Sequence, residues 1–506
     1  LSLGGLDFGL ALIKVKPDGG PADVRTWTSL EASVETVSFV GLSEYLTAEV
    51  SDLSININQA DDANATQAVV DYAGAGSTSL SVQVGDGTNI SFGMEGDRGE
   101  LIEAAGTFQL TVSEFFRVGG SLAFEKSSRE VQLGNGNLVD VDLLTIGGSG
   151  LGGFLGVNPD DADNRIGFTV SGVEFALAIL TDQADSTRVW SSLEAAVGTA
   201  TFEGTDRLTL GVSDLTIRIN QGAADGTLVD YSSGATELTV ITGPTDSLTY
   251  SMDADDGELV EAGGSFVIDV MGFFEASGSL SLVKRLETVV LDDGNVREVS
   301  VLSIGGAGLS AFAGADGIGL NLSSVNFGLY LASDVATPEQ NWLGLRATVG
   351  SVAFVGVEGL ELSSSDLEVE ITQASANGSL IDFARSGVTV ATGADGTTAP
   401  SLLSLTMRAL QGELLRVVGT LDLDLFGFVQ LSGAFALNKS LGKIRVSDGT
   451  TATDTDVELL TLGGANLSAF AGVNGDDPTN RMGLNLSGVE LAVVIANETG
   501  GPGVFT

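Results

Sequence analysis

The chain has 506 residues with 67 acidic and 22 basic side chains, a net charge of −45, and neither cysteine nor histidine. Disulfides, thiolate or imidazole metal sites, and Ser-His-Asp or Cys-His catalysis are therefore excluded. A field of that sign repels nucleic acid and anionic membrane surfaces, while 43% hydrophobic residues supply a core and exclude simple disorder.

The chain opens at Leu1 on LSLGGLDFGLALI, a strand-like alternation with no leader before it. The phrase returns as FTVSGVEFALAIL at Phe168, LNLSSVNFGLYLA at Leu320 and LNLSGVELAVVIA at Leu484. Next comes a tryptophan, Trp27, Trp190 or Trp342, with leucine three residues on, read as a core anchor at a short turn. SDLSININQA at Ser51, SDLTIRINQG at Ser213 and SDLEVEITQA at Ser365 alternate with period two and predict strands. Asp71-Tyr72, Asp230-Tyr231 and Asp382-Phe383 follow, and then Glu100, Glu258 and Glu413 in GEL. Lys126, Lys284 and Lys439 recur in a chain poor in lysine. One reading of the matched Lys, Asp52/Asp214/Asp366 and Glu positions is an isopeptide crosslink; the other is strand ends and turns. GNGN at Gly134 and DDGN at Asp292 are hairpin turn signals.

Each passage closes on a glycine pair: LLTIGGSGLGGFLGV at Leu143, VLSIGGAGLSAFAGA at Val301 and LLTLGGANLSAFAGV at Leu459. The pairs begin at Gly147, Gly305 and Gly463, 158 residues apart each time. Repetition of that kind defines units 1–167, 168–319 and 320–483, with 484–506 opening a fourth in what reads as a window on a longer array. No sustained helical stripe is present, beyond a short helical turn expected near GLGGFLGV or LSAFAGV. The fold class expected is all-β: elongated tandem repeats of a long-stranded β-sandwich or β-solenoid-like unit. The recurrent motif φ-x-φ-(Ser/Gly)-x-φ-x-φ predicts a bulge or bend within each strand. Stretches such as FFEASGSLSLV predict strands buried on both faces.

Two acidic loops follow the first and third glycine pairs, NPDDADNR at Asn158 and NGDDPTNR at Asn474. Calcium takes six to eight oxygen ligands, and Asp160, Asp161, Asp163 and Asn164, with Asp476, Asp477 and Asn480, are the candidate Ca2+ ligands. The competing reading is a solvated polar turn. The carboxylates are too numerous to single out an acid/base pair, and no enzyme is expected. No uncharged apolar run is long enough for a spanning helix, so no membrane span is expected.

The acidic, cysteine-free, Gly/Thr/Val-rich repeats resemble the extender regions of giant bacterial extracellular adhesins and filament proteins. The resemblance implies a structural, non-catalytic stalk at the cell surface, with self-association into a filament or array through β-sheet contacts and calcium as a stiffening ion. A surface glycan is a further partner to expect. The alternatives are a curved sheet that binds lipid or another hydrophobic ligand, and a polysaccharide-binding β-repeat.

Overall fold

A computed structural model of the chain describes residues 2–15, 25–38, 46–61, 68–73, 76–85, 87–112, 116–158, 165–204, 207–232, 234–315, 317–393, 401–447, 449–477 and 479–498. Among them are strands throughout, a four-residue α-helix at Phe383–Ser386 and three 3-10 turns. The all-β expectation holds, and nineteen strands belong to one large sheet.

The chain divides into two compact units, 1–205 with 215–260, and 206–214 with 261–506. In the first, Ser2–Lys14, Thr26–Ser38, Leu46–Ala60, Leu101–Val112, Phe116–Gln132, Leu138–Val157, Ile166–Asp182 and Val189–Glu203 pair in that order, each antiparallel to the next. In the second, Phe274–Val290, Val296–Ala315, Ile318–Asp334, Asn341–Val355, Leu360–Gln373, Leu414–Leu425, Val429–Ser447, Ala452–Val473 and Met482–Glu498 do the same. Leu208–Gln221 and Leu259–Val270 complete the nineteen. Antiparallel pairing of each strand with its successor is not the parallel stacking of a solenoid rung, and membership of one sheet is not a two-sheet sandwich. Both finer expectations are corrected by this pairing.

Period-two alternation gives the strands their two faces. The turns at GNGN and DDGN form as expected, closed by Leu133 N–H to Asn137 O and Leu291 N–H to Asn295 O, with Gly136 and Gly294 at φ 82° and 85°. The bulge expectation also holds. Register shifts fall at Gly148/Leu151, Gly306/Leu309 and Gly464/Leu467, and at Ser51/Ser54 and Ser365/Glu368. Asp52, Asp214 and Asp366 are the bulge residues of their strands, each at φ 53°. Aspartate tolerates that left-handed geometry better than most residues. The predicted helical turn at GLGGFLGV and LSAFAGV is instead the bulged second half of Leu138–Val157 and Ala452–Val473. The predicted turn at tryptophan is uninterrupted strand, as in Val189–Glu203, and Trp190 and Leu193 simply face opposite ways.

Three inserts interrupt the meander, each carrying a short hairpin: Ser81–Gln83 with Asn89–Ser91, Thr239–Ile241 with Ser247–Thr249, and Thr389–Ala391 with Leu402–Ser404. Each insert folds back over one face of the sheet at one end of the strands. Val289, Val299, Val301, Tyr330, Trp342, Phe383, Val390, Leu405 and Met407 form the core that results in the second unit. Ala11, Leu101, Tyr72, Phe92 and Met94 form its counterpart in the first. The tryptophan indoles anchor the inserts by donating to the carbonyls of Ala68, Thr227 and Ser379.

A hydroxyl relay accompanies two of the three inserts. Tyr72 donates to Ser29, and Tyr231 shares a 2.9 Å hydrogen bond with Ser192. Burial raises the Tyr231 phenol above its ordinary value, so it remains protonated. In the third insert both hydroxyls are lost together, as Phe383 and Gly344. A Cβ at Gly344 would lie 2.4 Å from the Phe383 ring, so the ring occupies the space the serine would need. Ser192→Ala should therefore cost about 1–3 kcal/mol by leaving buried hydroxyl and amide groups unpaired, measured by urea denaturation. Gly344→Ser should not restore a partner, because Phe383 has no hydroxyl.

Candidate functional site

The two faces of the sheet differ in kind. The insert face carries the charge. Arg346 donates to Glu368 at 2.9 and 3.0 Å, and Arg416 bridges Glu370 at 2.8 Å and Glu368 at 3.5 Å. Arg98 pairs with both Glu103 and Glu125, at 2.6 and 2.7 Å. Glu287 accepts from the buried Tyr330 hydroxyl and from Arg285. These pairs sit part-buried between the strands and the inserts.

The opposite, open face is apolar from strand to strand. In the second unit one paired row reads Gly306, Phe327, Ala347, Val369, Val417, Leu437, Leu462 and Val493. Beyond the bulges another reads Ala313, Leu320, Phe354, Leu362, Leu423, Leu431, Ala469 and Leu486. In the first unit Phe8, Ala32, Ile55, Ala104, Phe124, Ile146, Leu177 and Leu193 pair in the same way. The bulge is what keeps both halves of a strand on this face. Without its extra residue, the second run of alternation would turn to the insert side.

The open face has two borders. At the insert-bearing end stand Lys126, Lys284 and Lys439, directly beside Leu144, Leu302 and Leu460. Beyond them the face turns polar: Ser128 donates to Asp142, and Lys443 pairs with Asp456 at 3.3 Å. At the other end stand Phe168, Phe274 and Phe354, with Phe168 packed edge-on to Phe202 at 5.3 Å. Phe274 and Lys284 share one strand ten residues apart, about 30 Å of extended chain. Between the borders no charged residue occupies an alternating open-face position in the paired strands. The bulge aspartates stand outside that alternation. Large apolar side chains on this face are exposed, among them Phe124, Leu280, Phe274 and Leu486. The strands predicted to be buried on both faces are therefore buried on one.

The predicted cation ligands divide. Asp160, Asp161, Asp163 and Asn164 lie outside the described residues. Asp476, Asp477 and Asn480 are brought together, but as a turn. Asp477 accepts from the Asn480 side-chain amide at 2.7 Å and from the Thr479 N–H at 2.9 Å, while Asp476 accepts from Gln430 at 2.7 Å. Among the described residues no cluster of three metal-ligating acidic side chains occurs. The Asn480 amide, followed by the Thr479 N–H, holds the Asp477 carboxyl down at about 2, and Asp424 beside Asp476 raises its carboxyl. Asp477 is depressed, so its contribution to the turn is present above the ordinary carboxylate value and is lost as pH falls through about 2. Asn480→Ala should return its titration toward 3.8, followed by carboxyl NMR.

The isopeptide reading does not survive the register. Lys126 pairs with Ile102, and Ile102 with Ile57, five residues along the strand from Asp52 and so about 17 Å away. The glutamates instead cap strand ends: Glu100 accepts from Ala60 N–H and Glu413 from Ala374 N–H. The apolar face enters the sequence reading only as the curved lipid-binding sheet. Its signal there is the lack of charge at alternating positions between the two borders.

No family model matches the chain, and no curated protein matches it. Solved structures do, among them the outer membrane transporter YddB from Escherichia coli and the copper transporter OprC. YddB is 8% identical, with 93% of this chain and 74% of that chain covered at a TM-score of 0.19. OprC is 12% identical, with 98% and 74% covered at the same TM-score of 0.19. At that TM-score the likeness carries no argument about fold or activity. The extender-region resemblance is withdrawn, with the stalk function, the filament assembly and both alternatives.

The reasons lie in the molecule itself. Its strands share one sheet instead of forming separate stalk modules. The apolar troughs of the open face are small for a ligand pocket, about 240 Å³ at Leu151, Gly153 and Phe168 and about 290 Å³ at Leu53 and Phe108. Trp190 and Trp342 are buried and so are not offered for stacking on sugars. The expectation of no membrane span rested on helices. Among the described residues no helix is long and apolar enough to cross, which says nothing of strands.

Proposed function

We propose that the chain is a non-catalytic, membrane-embedded β-sheet protein of the cell surface, with its open face against lipid and its charged insert face turned away from it. The observation that supports this most directly is the height of the uncharged band. Ten residues separate the lysine border from the phenylalanine border, and a membrane-spanning strand takes about 9–11 residues to cross a hydrocarbon core of about 30 Å. Antiparallel strands satisfy their backbone hydrogen bonds among themselves, as a low-dielectric surrounding demands. Lysines at one border keep their ammonium groups in water while their stems lie along apolar surface. Aromatic side chains at the other suit the interface. The finer organisation we propose is one sequence repeat for every six long strands and one hairpin insert.

The bulge aspartates, with Glu35 across from Asp52 in the first unit, are the charged groups nearest the middle of this band. Asp366→Asn keeps a residue that tolerates φ 53° and removes the charge, and should therefore raise bilayer affinity. Co-flotation with phosphatidylcholine vesicles through a density gradient tests the reading. The chain should float with the vesicles and resist extraction by high salt and alkaline carbonate. A chain that stays at the bottom, monomeric and soluble without detergent, would overturn it.

A further inference from the structure

The first glycine of each pair is a seat for an insert. A Cβ at Gly147 would lie 2.1 Å from the Ile241 carbonyl oxygen, and one at Gly305 would lie 2.0 Å from that of Ala391. In both places the hairpin of the next insert along the chain rests directly on the strand backbone, which only glycine permits. The same insert also covers two neighbouring positions. Ala178 and Tyr330 are fully buried beneath it, and Leu133 and Leu291 are nearly so, at 1% and 4% exposure. Each of the latter bridges to the insert, Leu133 to Val229 and Leu291 to Ile381.

Among the described residues nothing covers the third copy of this surface. The nearest atom to a Cβ at Gly463 is 4.0 Å away, and it belongs to the neighbouring strand's own Leu491. Val494, which matches Ala178 and Tyr330, is 66% exposed, and Val446, which matches Leu133 and Leu291, is 50% exposed. Three matched positions change together, and all three line the place that an insert fills twice elsewhere in the fold. We infer that Gly463, Val446 and Val494 form a docking seat for the hairpin insert of a further repeat of this kind, continuous with the two seats already filled. A glycine that no other described residue touches, 158 residues from the last filled seat, fits that occupant.

The test uses the absence of cysteine. Val446→Cys introduces a single thiol, whose reaction with an aqueous disulfide reagent is timed in two proteins. One is the 506-residue chain; the other replaces residues 484–506 with a second copy of residues 320–413, which carries its own insert. The thiol should react freely in the first. In the second it should slow about tenfold or more, the mark of a site released only by local opening. Gly463→Val should return the extended protein to the fast rate. So should replacing the appended copy's hairpin by a Gly-Ser linker, which leaves the added strands in place. An extended protein that reacts as fast as the shorter one would overturn the inference, as would slow reaction that persists without the appended hairpin. Slow, concentration-dependent reaction in the 506-residue chain would assign the seat to a second copy instead and equally overturn it.

Discussion

Val325→Arg should destabilise the chain in a bilayer by about 2–4 kcal/mol, the cost of arginine on a lipid-facing strand near the midplane. Val325 lies in the apolar band between its paired neighbours Leu309 and Val349, midway between the two borders. The cost should fall to about 1 kcal/mol or less for Leu320→Arg, nearer the phenylalanine border, because there the guanidinium reaches the interface. Thr348→Arg is the control on the other face. Thr348 stands across from Glu368, which already pairs with two arginines, and the change should stay within about 1 kcal/mol. Urea-dependent folding into vesicles supplies all three values. Equal costs on both faces would mean that the open face meets protein or water instead of hydrocarbon.

The second large effect concerns the insert seats. Gly305→Val places a branched side chain where the Ala391 carbonyl oxygen now lies 2.0 Å from the ideal Cβ position. The hairpin has to lift, which uncovers Val390, Leu405 and Met407. Overpacking alone costs about 1–3 kcal/mol, and the lost apolar burial adds to it, so about 3 kcal/mol or more is expected. Amide exchange should accelerate through residues 401–407, where Leu405 N–H donates to Val388 O. Gly463→Val in the 506-residue chain should leave stability nearly unchanged, because no hairpin rests there.

Much of this architecture was legible in the residues, and the failures have physical causes. Alternation in SDLTIRIN and its relatives disclosed the strands, and the small residue between two alternating runs disclosed the bulges. Neither could show how strands join into a sheet, because alternation gives a strand its two faces without naming the strand it pairs with. The glycine pair was visible as a landmark, but its use was not. Gly147 admits a hairpin on one face, while a Cβ at its neighbour Gly148 would meet the Phe175 ring on the other. The inserts were missed because their strands are three residues long, too short for periodicity to register.

Attention to acidic loops also drew the candidate site away from the apolar face. Asp477 and Asn480 do meet, but their hydrogen bonds to one another complete a turn. The informative charges were those missing from the alternating open-face positions between the two borders. That pattern appears only after the register is known and the bulge has been allowed to reset the phase.

The central claim is that one face of the sheet meets lipid, and a nitroxide scan tests it most directly. Single cysteines at consecutive positions from 318 through 334, spin-labelled in vesicles, report their exposure to oxygen, which concentrates in hydrocarbon, and to a nickel chelate, which stays in water. The account predicts a two-residue period, with oxygen access high at 320, 322, 325, 327, 329 and 331 and a skipped beat at Ser324, the bulge residue with φ 53°. Nickel access should be lowest at the same positions. High nickel access along that series, or no difference between the two faces, would contradict it.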